Sequence, residues 1–215
     1  TTDKNTVAEC ATPGRMMAYL KSRNGELADR FDTVATEYMR HGEALGIRWD
    51  YAFFQMIVET ASLSYKRNGG WGDVKPKQNN FAGIGATGKG EPGESYPDVS
   101  TGVLAHLQHL LLYAGQTTEN PVSERTRKVQ EWKIVHPKAQ KLGRPVTFTD
   151  LGGSWTVDHK YGDTIRSVEE KFSADFCNKT DPRPELVAEA RNGRVAKVAA
   201  AAEDLALAGR VGRRY

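Results

Sequence analysis

The sequence predicts a predominantly helical α+β protein with a small β-hairpin lobe and an extra C-terminal helix. Three observations predict it. Apolar residues recur at helical spacing through residues 12–63 and again through 99–114. Between those runs the helical period disappears, and Gly69, Gly70, Gly72, Gly83, Gly85, Gly88, Gly90 and Gly93 crowd one segment. Last, Pro182 and Pro184 set an Ala-rich helical pattern, about 185–207, apart from the rest of the chain.

Thr12 caps a first helix with Pro13 at its first position, and Met16, Met17, Tyr19 and Leu20 form its apolar face up to Asn24-Gly25. A second helix, about 27–45, buries Phe31, Val34, Ala35, Tyr38 and Met39 and closes at Gly46. The third, Asp50 to Leu63 with Asp50 as its cap, is apolar on nearly all sides, so the others pack around it. In the glycine-rich segment, Phe81–Ala86 and Glu94–Pro97 read as two short strands about a turn at 88–93. Val103, Leu104, Leu107, Leu110 and Leu111 give the helix at 99–114 one broad apolar face, and 123–132 is a short helix. Tyr161, Ile165, Val168 and Phe172 mark another helix at 159–172. The chain divides into an N-terminal extension packed on the body (1–27), a main domain (28–180) with its lobe at about 66–98, and a C-terminal helix with a basic tail (181–215).

Composition narrows the classes. The 215 residues are 39% hydrophobic and 27% charged, and no apolar run approaches the roughly 20 residues of a membrane span. A net charge of +3 suits a polyanionic partner but is too diffuse to indicate nucleic acid. The chain starts at Thr1 with no apolar leader, as a chain would whose export signal has been removed. Cys10 and Cys177 lack neighbouring His or Cys at zinc-ligand spacing, so they read either as one staple closing most of the chain or as two separate buried thiols. His106 and His109 stand three apart on a helix without a third ligand, which favours ordinary hydrogen bonds over a metal pair.

One polar stripe interrupts the third helix. Gln55 and Glu59 lie within about 40° of each other on it, with only Ala52 and Ser62 beside them. A carboxylate there must be paired, for which Arg48 is the nearest cation in sequence, or must face a cleft with its pKa raised. Three segments follow C-terminal to the helix: Gln78-Asn-Asn-Phe-Ala-Gly-Ile-Gly85, then Ala105-His-Leu-Gln-His-Leu110, then Trp155-Thr-Val-Asp-His-Lys-Tyr-Gly162.

In order and spacing, from about Ala28 to Phe172, these segments resemble the bacterial glucosaminidase family of peptidoglycan hydrolases, within the lysozyme-like superfamily. The resemblance implies a lysozyme-like helical body and hairpin lobe with the cleft between them, no cofactor, and a periplasmic or secreted location. It implies hydrolysis of the β-1,4 bond after N-acetylglucosamine in peptidoglycan glycan strands, with Glu59 as the general acid. A carboxyl in an apolar wall holds its proton near neutral pH and can deliver it to a glycosidic oxygen. Gln55 is expected to touch substrate or to orient Glu59. Trp155, Asp158 and Tyr161 fall beside the site, Phe81 fits a place under the lobe or beside sugar, and Asn79 and Asn80 meet N-acetyl groups or satisfy their loop. For the second carboxylate the candidates are Glu94, favoured as a strand residue, then Glu91 and Asp73; otherwise the substrate's acetamido group serves. A lytic transglycosylase and a glycan-binding module without catalysis are the alternatives.

Overall fold

A computed structural model of the chain describes residues 5–88, 90–132 and 137–192, with backbone alone at 137 and 138. Its helices are α1 (Pro13–Arg23), α2 (Val34–Leu45), α3 (Trp49–Glu59), α4 (Val99–Tyr113), α5 (Glu124–Glu131), α6 (Pro137–Lys141), α7 (Tyr161–Phe176) and α8 (185–192). One antiparallel hairpin joins β1 (Lys66–Arg67) to β2 (Gly70–Trp71). The protein is therefore a mostly helical α+β structure. The rest of the predicted C-terminal helix and the basic tail lie outside the described residues.

α3 is the hub. Trp49, Tyr51, Phe53, Phe54, Met56 and Ile57 are all buried, because α2 and α7 pack on it directly. Phe54 meets Tyr19 of α1 edge-on and Phe172 of α7, and Phe53 meets Tyr38 of α2 edge-on. Each such ring contributes roughly 1.5–3 kcal/mol through burial. The first turn of α3 differs from expectation. Asp50 lies inside the helix, where Arg48 Nε donates to it at 3.0 Å and the Tyr51 amide at 2.9 Å. Arg48 is thus committed to Asp50, which leaves Glu59 without that partner.

The helix also stops earlier than its apolar pattern, at Glu59 rather than Leu63. Ala61, Ser62 and Leu63 occupy the left-handed region at φ of 49°, 59° and 60°, a conformation that costs roughly 1–2 kcal/mol per residue outside glycine. Specific bonds hold it. Thr60 Oγ1 donates to Met56 O at 2.7 Å and accepts from the Leu63 amide at 2.9 Å. From the end of α1, Asn24 Nδ2 donates to Ser62 O at 2.9 Å and Arg23 Nε to Ser62 Oγ at 3.1 Å. The N-terminal segment thereby fixes the backbone just beyond Glu59.

The hairpin forms within the predicted lobe but not from the predicted strands. It turns on Asn68-Gly69, both at positive φ (49° and 79°), the two-residue geometry that suits a tight hairpin. Residues 81–86 and 94–97 make no ladder; an isolated Glu94 N–H to Ile84 O bond of 2.9 Å links them. Side chains, those of Gln78, Asn79 and Asn80, meet the backbone groups of this segment instead.

Cys10 and Cys177 form a disulfide with a Cα–Cα distance of 5.1 Å, tying the segment before α1 to the end of α7. α8 then crosses back over α2: Leu186 and Ala190 are buried, and Arg191 pairs with Glu43 at 2.9 Å.

Glu37 of α2 supplies a titrating contact. Burial pushes its carboxyl up, but hydrogen bonds from His41, Ser100 (2.7 Å) and Arg40 more than offset this and hold it down at about 2. The folded pKa lies below the ordinary value of 4.5, so this stability is present above pH ~4.5 and is lost as pH falls toward 2. A shift of that size is worth on the order of 3 kcal/mol at neutral pH. Glu37→Gln should therefore lower the unfolding midpoint at pH 7 and approach wild type near pH 2. Urea titrations at the two pH values measure it, and an equal loss at both would refute the assignment.

Candidate active site

Glu59 is the last residue of α3, and the left-handed turn carries the chain sharply away from it. Its carboxyl opens on a cleft of about 400 Å³ lined also by Tyr65, Arg67, Asp73, Ala82 and Trp155. Trp155 Nε1 donates to Glu59 Oε1 at 3.2 Å, and Tyr161 Oη donates to the same oxygen. Both donors converge on Oε1, so a proton on the carboxyl belongs on Oε2. Burial raises the Glu59 pKa, partly countered by Tyr161, by Trp155 and by the charge of Arg67. The site thus shifts the carboxyl toward its protonated form, with the acidic hydrogen on the atom that lacks these two bonds.

Behind Oε1 runs a hydrogen-bonded chain through four helices. Gln55, fully buried, donates from Nε2 to Tyr161 Oη at 3.0 Å, and its Oε1 lies 3.1 Å from His106 Nε2. His106 Nδ1 lies 2.7 Å from Tyr38 Oη. Burial, aided by neighbouring His109, drives the His106 pKa down to about 3, so the ring is neutral. Gln55 therefore orients the Tyr161–Glu59 pair from behind and does not reach the cleft. His109 makes an ordinary bond to Thr126 Oγ1 at 3.0 Å. Among the described residues no group of three or more His, Cys, Asp or Glu could hold a metal ion.

Three expected substrate contacts turn out to be scaffold. Asn80 is fully buried: its Nδ2 donates to Ile84 O (2.9 Å) and Glu94 O (3.0 Å), and its Oδ1 accepts from the Ala82 and Ile84 amides. Asn79, left-handed at φ 50°, donates to Tyr96 O at 2.9 Å, and Phe81 packs edge-on to Phe31 in the core. Gln78 joins the set, accepting from the Lys75 amide at 2.7 Å and donating to Pro92 O at 2.6 Å. This run of amides substitutes for a sheet: it folds residues 75–88 and 90–96 into a wall and presents Ala82, Gly83 and Ala86 to the cleft.

The carboxylates separate clearly. Glu94, favoured from the sequence, is on no strand and is absent from the cleft lining. Its Oε1 accepts from the Arg125 amide at 2.6 Å and its Oε2 from Tyr96 Oη at 3.0 Å, which makes it a cap for the first turn of α5. Glu91 lines an adjoining compartment with His109, Tyr113 and Arg125, on the other side of Trp155. Asp73 shares the Glu59 cleft itself. Asp158 does not line it; this exposed side chain accepts from the Lys160 amide at 2.8 Å, just ahead of α7.

Trp155 is the partition between the two compartments. Its ring lies 4.8 Å from that of Tyr113 and 5.6 Å from that of His109, which fixes its Nε1–H toward Glu59. Arg67, Tyr65 and Thr156 line the cleft without having been expected from sequence. Arg67 also donates to the Glu59 carbonyl at 3.2 Å. The Asn68-Gly69 turn was the available signal for it, because a hairpin there folds residue 67 back toward the end of α3.

Fold and site together define a mostly helical α+β protein with one desolvated carboxyl at the mouth of a polar cleft. A protein of Borreliella burgdorferi, bearing only the name "Uncharacterized protein", is 31% identical over 156 residues, which are 71% of this chain and 69% of its own length. The chain belongs to the family of that protein. No protein-family model matches the chain, and no solved structure matches it.

Proposed function

We propose that the chain is a lysozyme-like peptidoglycan hydrolase, related to the bacterial glucosaminidases, that cleaves the glycan after N-acetylglucosamine with Glu59 as general acid. The observation that carries this reading is the Glu59 carboxyl: half-buried, raised in pKa, bonded twice through Oε1 and placed beside a cleft. Such a group transfers its proton to the glycosidic oxygen as the C1–O bond breaks, and a water adds to C1. If a protein base activates that water, Asp73 is the group to do it, since Glu94 is held at α5. Half-buried Trp155 offers ring surface to a pyranose face. The Cys10–Cys177 disulfide suits an exported protein working in an oxidising compartment.

Digestion of purified peptidoglycan followed by mass spectrometry of the fragments tests the proposal. New reducing N-acetylglucosamine ends are expected, and Asp73→Asn should lower their yield by about 10²-fold or more, whereas Glu94→Gln should act only through stability. Terminal 1,6-anhydromuramyl residues would assign a transglycosylase instead, and undigested glycan would refute both.

A further inference from the structure

We propose that His106 is a positioning residue for the site: it fixes the Gln55 amide so that the Tyr161 hydroxyl can only donate to Glu59. The reason is hydrogen-bond polarity. Tyr161 Oη stands between Gln55 Nε2 and Glu59 Oε1 and has a single hydrogen to give. If Gln55 presents its NH₂ group, that hydrogen goes to Glu59. If the Gln55 amide turns over, its oxygen captures the hydrogen and Glu59 loses a donor.

Nothing on α3 decides between the two amide orientations. The decision comes from α4, where His106 Nε2 lies 3.1 Å from Gln55 Oε1, and only a protonated Nε2 makes that contact favourable. A neutral imidazole with its hydrogen on Nε2 must accept at Nδ1, where the Tyr38 hydroxyl sits at 2.7 Å. Tyr38 is fully buried, and burial raises its pKa well above the ordinary value, so its hydroxyl keeps the hydrogen it donates. His106 is itself fully buried and stays neutral. Every donor in the series Tyr38, His106, Gln55, Tyr161 therefore points toward Glu59 Oε1. The chemical groups facing Glu59 are Tyr161, Trp155 and Arg67, with Tyr65 and Asp73 lining its cleft; His106 is faced by Tyr38, Gln55, His109 and Trp155.

The polarity can be tested whether or not the chain is a hydrolase. Nitrogen-15 shifts of the His106 ring should show one hydrogen, on Nε2, from about pH 5 to 8; a hydrogen on Nδ1 overturns the proposal. Carboxyl carbon-13 titration of Glu59 supplies the second reading. His106→Asn keeps an acceptor for Tyr38 but has no group at the Nε2 position, so Gln55 is freed, the ionised carboxyl loses the Tyr161 bond, and the Glu59 pKa rises. His106→Gln places an amide donor near the Nε2 position and should shift it less. Equal titration of both variants and the wild type would also overturn the proposal. The consequence for catalysis rests on the hydrolase reading: in His106→Asn the alkaline limb of kcat moves to higher pH and the plateau falls about tenfold, with KM little changed. A wild type that is inert on peptidoglycan, yet shows the expected ring tautomer and Glu59 titrations, would refute the hydrolase reading and leave the role of His106 standing.

Discussion

Glu59→Gln is expected to reduce peptidoglycan turnover by at least about 10³-fold while leaving the fold and glycan binding in place. The amide oxygen can occupy the Oε1 position and accept from Tyr161 and Trp155, and the amide nitrogen then stands where the acidic hydrogen belongs. An amide cannot protonate a leaving oxygen, and general acid catalysis is worth roughly 10²–10⁴-fold. The same substitution should raise stability at neutral pH. Glu59 has a folded pKa above its unfolded value, so its contribution is fully present in acid and is lost as pH rises through the folded pKa. Glu59→Gln escapes that loss. Thermal unfolding should show the variant level with wild type near pH 4 and more stable by pH 7. Retained turnover, measured as release of soluble glycan, would remove Glu59 from the chemistry, and a variant no more stable than wild type at pH 7 would contradict the raised pKa.

Asn80→Ala is expected to cost about 3–5 kcal/mol, the largest stability effect of any single polar side chain in the lobe. Its amide serves two carbonyls and two backbone N–H groups around a bend with no ladder of its own. Truncation leaves the buried Ala82 and Ile84 amides unsatisfied, at roughly 1–3 kcal/mol each, reduced where water can enter, while Ile84 O keeps its bond from the Glu94 amide. Activity should fall with stability, because Ala82, Gly83 and Ala86 hang from this bend and line the cleft. Denaturant unfolding reads the loss directly. A change below about 1 kcal/mol would mean that the bend is held by packing, through Phe81 and Ile84, rather than by the amide.

The sequence made the helices legible where local chemistry and the apolar period agree. The Thr12-Pro13 start and the Gly46 end are of this kind, and so is α3 as the central element. It misled where distant groups override local preference. Ala61, Ser62 and Leu63 extend the helical pattern, yet Thr60 and two residues at the end of α1 turn the backbone left-handed. Phe81–Ala86 looks like a strand, but Asn80 takes the bonds a partner strand would have made. Glu59 was legible because a lone acid on an apolar helix needs an explanation. Gln55 was half legible: its position on the stripe pointed to Glu59, but its partners lie on α4 and α7. His106 could not be found this way, since its link to Glu59 passes through two other side chains and depends on how α3, α4 and α7 pack. Asn79 and Asn80 stayed open between loop and substrate for a related reason. Amides in a glycine-rich loop look like ligand contacts whenever the carbonyls they serve are still unplaced.

The disulfide has a mechanical consequence. Cys10 and Cys177 are 167 positions apart in sequence but have Cα atoms separated by 5.1 Å, so a pull applied to the chain outside the pair passes through one covalent bond. Helices α1 to α7, the hairpin and the cleft hang from that bond as a closed loop that bears none of the tension. Intact, the link conceals roughly 600 Å of extensible chain; reduced, it places the same length in series with the load, with the bonds from α1 to the Ser62 turn among those exposed to it. A chain pulled at once from the residues before Cys10 and from those after Cys177 would keep the carboxyl of Glu59 in register under load for as long as this single thiol pair stays oxidised.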